Sequence, residues 1–241
     1  MKLSAPIHHL KRRARALSRK EAVPLSKALD RIAAQEGYSS WSLLATRAAA
    51  ATPSAKLLAQ LTPGDLLLLG ARPGHGKTLM GLKLIVEAMK LGRRGVFFTL
   101  EYSAADVVSR LEAVGGDMAM FTDLFDFDSS DAINADYIME QLASAQQGTV
   151  VVIDYLQLLD HRRSNPDLLV QVRALKAFAR DKGLVIVFIS QIDRSYDANT
   201  KPCPDLADVR LPNPLDLSLF DKSCFLNDGR MQVETANQHP P

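Results

Sequence analysis

The chain has 241 residues, 47% of them hydrophobic, and a formal net charge of only +2. That length predicts one domain with a small appendage, and the hydrophobic share supports a sizeable core. Two cysteines, Cys203 and Cys224, form no CxxC or Cys/His pattern, which excludes a disulfide framework and a cysteine-built metal site. No signal-peptide core or apolar run of membrane length is visible, so the expectation is a soluble cytoplasmic protein.

The charge is uneven. Lys2, Lys11, Arg12, Arg13, Arg15, Arg19 and Lys20 precede the first acid, Glu21. Such a cluster serves either as a contact for nucleic acid or an acidic partner, or as a solvated helix face. Ile7, Leu10, Ala14 and Leu17 repeat at helical spacing, and Leu25, Ala28, Leu29, Ile32 and Ala33 form a second apolar face behind Pro24. Gly37 is a stop, and Ser40-Trp41 opens a third short helix. Residues 1–50 are thus expected to form a small basic helical unit, and 51–56 a linker.

From about Lys56 the pattern changes to α/β. Leu66 to Leu69 reads as a buried parallel strand. Ala71, Arg72, Pro73, Gly74, His75 and Gly76 make a glycine-rich turn, and Lys77-Thr78 opens a helix. Strand, glycine turn, Lys-Thr and helix are the parts of a phosphate-binding loop. Backbone N–H groups and the helix dipole can cradle a polyphosphate, Lys77 can reach the β- and γ-phosphates, and the Thr78 hydroxyl can ligate Mg²⁺. The first glycine slot of the motif holds Ala71, with Gly70 one residue early.

Gly95 to Leu100 forms a second strand, with Glu101 just past its end. Ser103 and Asp106 have the spacing of a capping box. Leu124 to Phe127 reads as a short strand and Ile133 to Gln146 as a helix. Thr149 to Ile153 is a fully apolar strand ending at Asp154. Ser164-Asn165-Pro166 opens another helix, which Gly183 closes before a strand from Leu184 to Ile189 and the pair Ser190-Gln191. Helices alternating with continuous apolar strands predict a mostly parallel central sheet flanked by helices over residues 57–241, with functional groups at the strands' carboxyl ends. An acid after an apolar strand, as at Asp154, holds Mg²⁺ in phosphate-loop enzymes, but also arises as a loop-capping Asp. Glu101 has two readings, a base that orients water at the γ-phosphate or an acid favoured by a helix N-terminus. Gln191 can hydrogen-bond a γ-phosphate.

The stretches GARPGHGKT, FFTLEYSAADVVSRL, VVVIDYLQLLD, LKAFARDKGLVIVFISQIDRS and PDLADVR resemble, in order, the motif series of the DnaB-type replicative helicases, which are RecA-like ATPases. The match covers about Leu57 to Leu226, and that family commonly has alanine at the place of Ala71. The resemblance implies a RecA-like phosphate-loop fold, ATP and Mg²⁺ as ligands, and ATP hydrolysis linked to DNA. It assigns phosphate and Mg²⁺ to Lys77 and Thr78, the magnesium-holding acid of the Walker B strand to Asp154, and the catalytic glutamate to Glu101. It makes Gln191 the coupler of γ-phosphate state to DNA-binding loops and sets Arg110 near the adenine. His161, Arg162 and Arg163 then lie on a loop that faces DNA. Single-stranded DNA, a hexameric homo-oligomer and replication or plasmid-maintenance proteins are the partners it implies. The family's N-terminal helical domain, its linker helix and the K-x-R-x-G arginine finger have no counterpart here, the tail reading MQVETANQHPP. Those departures keep a second expectation open: a slow or non-hydrolysing ATP switch without autonomous unwinding.

Overall fold

A computed structural model describes residue 4 and residues 7–211 and 213–236. The chain divides into two compact units, residues 1–56 and 57–241.

The first unit is helical. It comprises α1 (Ile7–Glu21), α2 (Leu25–Gln35) and α3 (Trp41–Ala51), and α4 (Pro53–Leu58) follows. The predicted apolar stripe of α1 is its inner face: Leu10 and Ala14 are fully buried against Ala28, Ile32, Ala33 and Leu44. Trp41 packs at the edge of this cluster. Pro24 is the N-cap of α2, where its missing N–H costs nothing. The Asp30 carboxylate accepts the Trp41 N–H (2.8 Å) and so satisfies the start of α3.

The second unit is built on a seven-stranded sheet. Its strands are β1 (Leu66–Ala71), β2 (Gly95–Thr99), β3 (Phe125–Asp128), β4 (Val150–Asp154), β5 (Val185–Gln191), β6 (Lys222–Asn227) and β7 (Arg230–Thr235). The order across the sheet is β3-β2-β4-β5-β1-β6-β7. All pairs are parallel except β6 with β7. The helices are α5 (Lys77–Lys90), α6 (Ala104–Ala113), α7 (Met118–Phe121), α8 (Ala135–Gln141) and α9 (Leu168–Lys182).

Strand alternation explains why the central strands are apolar throughout. Leu67, Leu69, Phe97, Val152, Val187 and Ile189 face one side, where Leu82, Ile85, Val107 and Leu111 of α5 and α6 cover them. Leu66, Leu68, Phe98, Val151, Ile153 and Phe188 face the other, under Ile138, Leu168, Val172 and Leu175 of α8 and α9. Burial on both faces leaves no strand position for a polar residue except the ends. Both cysteine thiols are free and buried.

Two helices are shorter than their sequence pattern predicts. The expected helix over 133–146 is α8, because Asn134 caps it by accepting the Tyr137 N–H (2.9 Å) and successive turns replace it after Leu142. The helix expected from Ser164 begins at Leu168, since Asp167 is extended (ψ 140°) after Pro166. Asn165 instead ties the loop down by donating to the Leu159 carbonyl (2.9 Å). The β6–β7 hairpin was not predicted as strands. Its turn, Asp228-Gly229, has φ of +46° and +77°, as a two-residue hairpin of the mirror-image type requires.

Candidate active site

The sheet order brings four chemistry-bearing strand ends together. β5 lies between β1 and β4, and β2 lies on the far side of β4. Ala71 pairs with Gln191, Ile189 with Asp154, and Asp154 with Thr99. The phosphate loop, Gln191, Asp154 and Glu101 therefore occupy successive positions along one edge of a parallel sheet, where ligands of such sheets bind.

The loop after β1 owes its shape to Gly74 (φ +81°) and Gly76 (φ +82°). A Cβ at either would meet no atom within 4 Å, so the loop's backbone is open to a ligand. Gly76 is the N-cap of α5 and offers no side-chain cap. The N–H groups of the first helical turn are left for another acceptor, and the helix dipole favours an anion there. Gly70 has a different task. A Cβ on it would lie 2.8 Å from the Phe225 ring, so it is a sheet-packing glycine. Ala71 is fully buried as the last residue of β1, outside the turn.

Asp154 is the most unusual group of the unit. Its side chain is inaccessible to solvent, and neither carboxylate oxygen accepts a hydrogen bond from the described residues. Ser190 Oγ, at the end of the adjacent strand, is likewise buried and without a partner. Burial pushes the Asp154 carboxyl up to about 6. Thr78, beside it but short of a hydrogen bond, opposes this; Glu101 adds to it by like-charge repulsion; Lys77 and Arg110 oppose it. A buried, unpartnered carboxylate next to a threonine hydroxyl and a lysine is costly in a resting fold. It fits a small hard cation, which takes one or two carboxylates and draws its remaining ligands from phosphates and water. Among the described residues no group of three or more His, Cys, Asp and Glu side chains could hold a metal alone.

The neighbouring groups are set by local structure. Glu101 follows β2 by two residues and is exposed, and its N–H donates to the Thr99 hydroxyl (3.0 Å). The capping box expected from Ser103 and Asp106 starts α6. Arg110, one turn before the end of α6, lies over the Tyr102 ring with its guanidinium carbon 4.3 Å from the ring centre. Tyr102 as a partner of Arg110 escaped the sequence reading, although the i, i+8 spacing across the cap carries no periodic signal. Gln191 is partly buried, and its carbonyl accepts the Arg210 N–H (2.8 Å). The Asp205-capped turn Leu206–Asp208 and the Ile192–Val209 bridge hold that segment, which gives Asp-Val-Arg a bracing role at the end of β5.

The C-terminal hairpin also reaches the loop. Asp228 N–H donates to His75 Nδ1 (3.4 Å), and the Asp228 carboxylate lies 3.5 Å from the same atom. Arg230 is exposed just past this turn. Arg162 and Arg163 are exposed on the loop after the 3₁₀ turn Leu156–Asp160. Arg162 sits 3.9 Å from Asp131.

The family model described as ATPase: KaiC matches residues 60–203, more than half of the chain and all four strand ends. The chain belongs to the KaiC family of ATPases. It is distantly homologous to the DnaB helicases. A probable replicative DNA helicase of Guillardia theta is 27% identical over 186 residues, 64% of this chain and 31% of that protein. The replicative DNA helicase DnaB of Mycoplasma genitalium is 26% identical over 214 residues, 73% of this chain and 45% of that protein. The chain thus spans less than half the length of these curated relatives. Among solved structures, a DnaB-like replicative helicase superposes with a TM-score of 0.55 at 18% identity, covering 72% of this chain and 54% of that one. A KaiC-like protein from Pyrococcus horikoshii gives 0.54 at 17% identity, covering 73% and 81%. These likenesses establish the RecA-like fold of this KaiC-family chain.

Proposed function

We propose that this chain binds ATP·Mg²⁺ on the β1–α5 loop and hydrolyses it in a cycle linked to single-stranded DNA. The single observation that supports this most is the buried, unpartnered Asp154 carboxylate beside Thr78 and Lys77. Residues 71–76 wrap the phosphates through backbone N–H groups, and Lys77 neutralises the β- and γ-phosphates. Thr78 and Asp154 hold Mg²⁺, which when bound supplies neutralisation of charge on the phosphates. Glu101 orients the attacking water and takes its proton, and Gln191 hydrogen-bonds the γ-phosphate and relays its presence to the segment braced by Arg210. Arg110, held on Tyr102, flanks the base. The exposed Arg162 and Arg163 neutralise DNA phosphates without reading bases.

The DNA link is drawn from the helicase relatives, as are a replication or plasmid-maintenance setting and a hexameric assembly. Glu101→Gln is expected to keep ATP affinity within about threefold and to lower steady-state phosphate release by about 100-fold or more, the scale of a lost general base. Wild-type release should rise on adding single-stranded DNA and depend cooperatively on protein concentration. No response of turnover to DNA at any protein concentration contradicts the DNA link.

One observation favours a second reading. Residues 231–241 contain no Lys or Arg, so none of them can serve as an arginine finger. An in-trans arginine contributes about 10³–10⁵ to turnover where it operates. A switch that binds ATP tightly and turns over only with a partner's charge follows. Intact ATP binding with no turnover, with or without DNA, selects it.

A further inference from the structure

The two units carry opposite charge. Residues 1–56 contain eleven Lys and Arg against three Asp and Glu, a net +8, whereas residues 57–241 contain eighteen against twenty-four, a net −6. The chain's near-neutral total conceals this. A sheet unit of net −6 repels a polyanion at long range, so most of the attraction must come from the helical unit.

Each of the three acids of that unit already has a partner. Glu36 accepts hydrogen bonds from Ser4, which hold its carboxyl below the usual range, and Arg13 lies beside it. Glu21 pairs with Arg31, and Asp30 caps α3 through Trp41. On α1, Leu10 and Ala14 face inward. At about 100° per residue, Arg12, Arg15 and Arg19 fall on the opposite side in one row. Arg12 and Arg19 are exposed and have no ion pair within the described residues. They are separated by two turns, about 10.5 Å, the rise of roughly three base pairs. Arg19 and Lys20 alone could be explained by the helix dipole at the C-terminal turn. Arg12, in the middle of the helix, could not, and like charges spaced i, i+3 and i, i+4 along one face destabilise a helix. A helix selected only for stability would interleave glutamates there.

We infer that this outer face of α1, centred on Arg12, Arg15 and Arg19, is a nucleic-acid contact that grips the phosphate backbone without reading sequence. It is separate from the phosphate loop and from Arg162 and Arg163, and it stands whether or not ATP is hydrolysed. Three arginines in one row, without an Asn, Gln or aromatic residue between them, suit neutralisation of successive phosphates.

The test uses the full chain and two triple variants, Arg12→Gln/Arg15→Gln/Arg19→Gln and the same three to Lys. Binding of a labelled 20-nucleotide oligo-dT and a 20-base-pair duplex is measured against salt, without nucleotide. The Gln variant should bind at least about tenfold more weakly at 100 mM salt, with a log–log salt slope shallower by about 2–3. The Lys variant should recover most of both, which separates charge from helix integrity. DNA-independent ATPase activity should stay at the wild-type level in both. Equal affinity and slope in the Gln variant overturn the inference. A Gln variant that keeps DNA affinity but loses self-association on gel filtration also overturns it, and assigns the face to the acidic unit of a second copy. Arg162→Gln/Arg163→Gln serves as a separate arm: if it leaves DNA stimulation intact, the loop assignment fails while this one stands.

Discussion

Replacing Lys77 by alanine should weaken ATP·Mg²⁺ binding by at least about 100-fold, measured by titration with a fluorescent ATP analogue. A hydrogen bond to a charged group is worth about 1.5–3 kcal/mol, and each 1.4 kcal/mol is tenfold in affinity. Here the lysine meets two phosphates in a loop whose other donors are backbone N–H groups. It has a second role in the resting protein, since its charge eases the ionisation of Asp154. In the alanine variant Asp154 should therefore ionise at a higher pH than in wild type, so the loss of affinity should grow as pH falls toward about 6. Binding within a few-fold of wild type removes the phosphate-loop assignment.

Asp154→Asn should separate stability from activity. The carboxyl has a folded-state pKa of about 6 against an ordinary value of 3.8. Between these values the folded state holds its proton more tightly than the unfolded chain. Stability must then fall as pH rises through that window and level off above it. A shift of about two units costs roughly 3 kcal/mol at neutral pH. Asparagine removes the charge while keeping the shape, though its amide is itself unpartnered. The ligand-free variant should be about 1–2 kcal/mol more stable than wild type at pH 7.5, and that advantage should vanish near pH 4. Urea midpoints at the two pH values read this directly. The same variant should lose Mg²⁺-dependent hydrolysis. A destabilised variant, or one with a pH-independent difference, contradicts the view that Asp154 is a strained carboxylate kept for a cation. In wild type, Mg²⁺ support of ATP binding should weaken below about pH 6, because a ligand carboxylate must be ionised.

The sheet was legible because every buried strand announces itself as an unbroken apolar run ended by a glycine or a polar residue. Leu66 to Leu69, Phe97 and Phe98, Val150 to Ile153 and Val185 to Ile189 needed no further clue. The candidate site residues stand out in the sequence for a related reason: each is a polar group at the end of such a strand. Strand order was not legible, and it is what gives Gln191 its place between the loop and Asp154. Long-range pairing leaves no local periodic trace. The hairpin that touches His75 was missed because β6 begins at Lys222, amid polar residues, and β7 is half exposed. Its Asp228-Gly229 pair was the available signal. Alanine is tolerated in the motif's first glycine slot because that position needs no left-handed backbone. The structure puts Ala71 in the strand and the backbone freedom at Gly74 and Gly76.

The basic face of α1 lies in a different unit from the nucleotide chemistry, so the two can be tested independently. The most direct test of the central claim is single-turnover hydrolysis of γ-labelled ATP, with protein in excess and single-stranded DNA present, in wild type and Glu101→Gln. The account predicts phosphate release by wild type, and an ATP-bound Glu101→Gln protein that releases at least about 100-fold more slowly. Equal release by the two proteins, or bound ATP that neither hydrolyses, would contradict it.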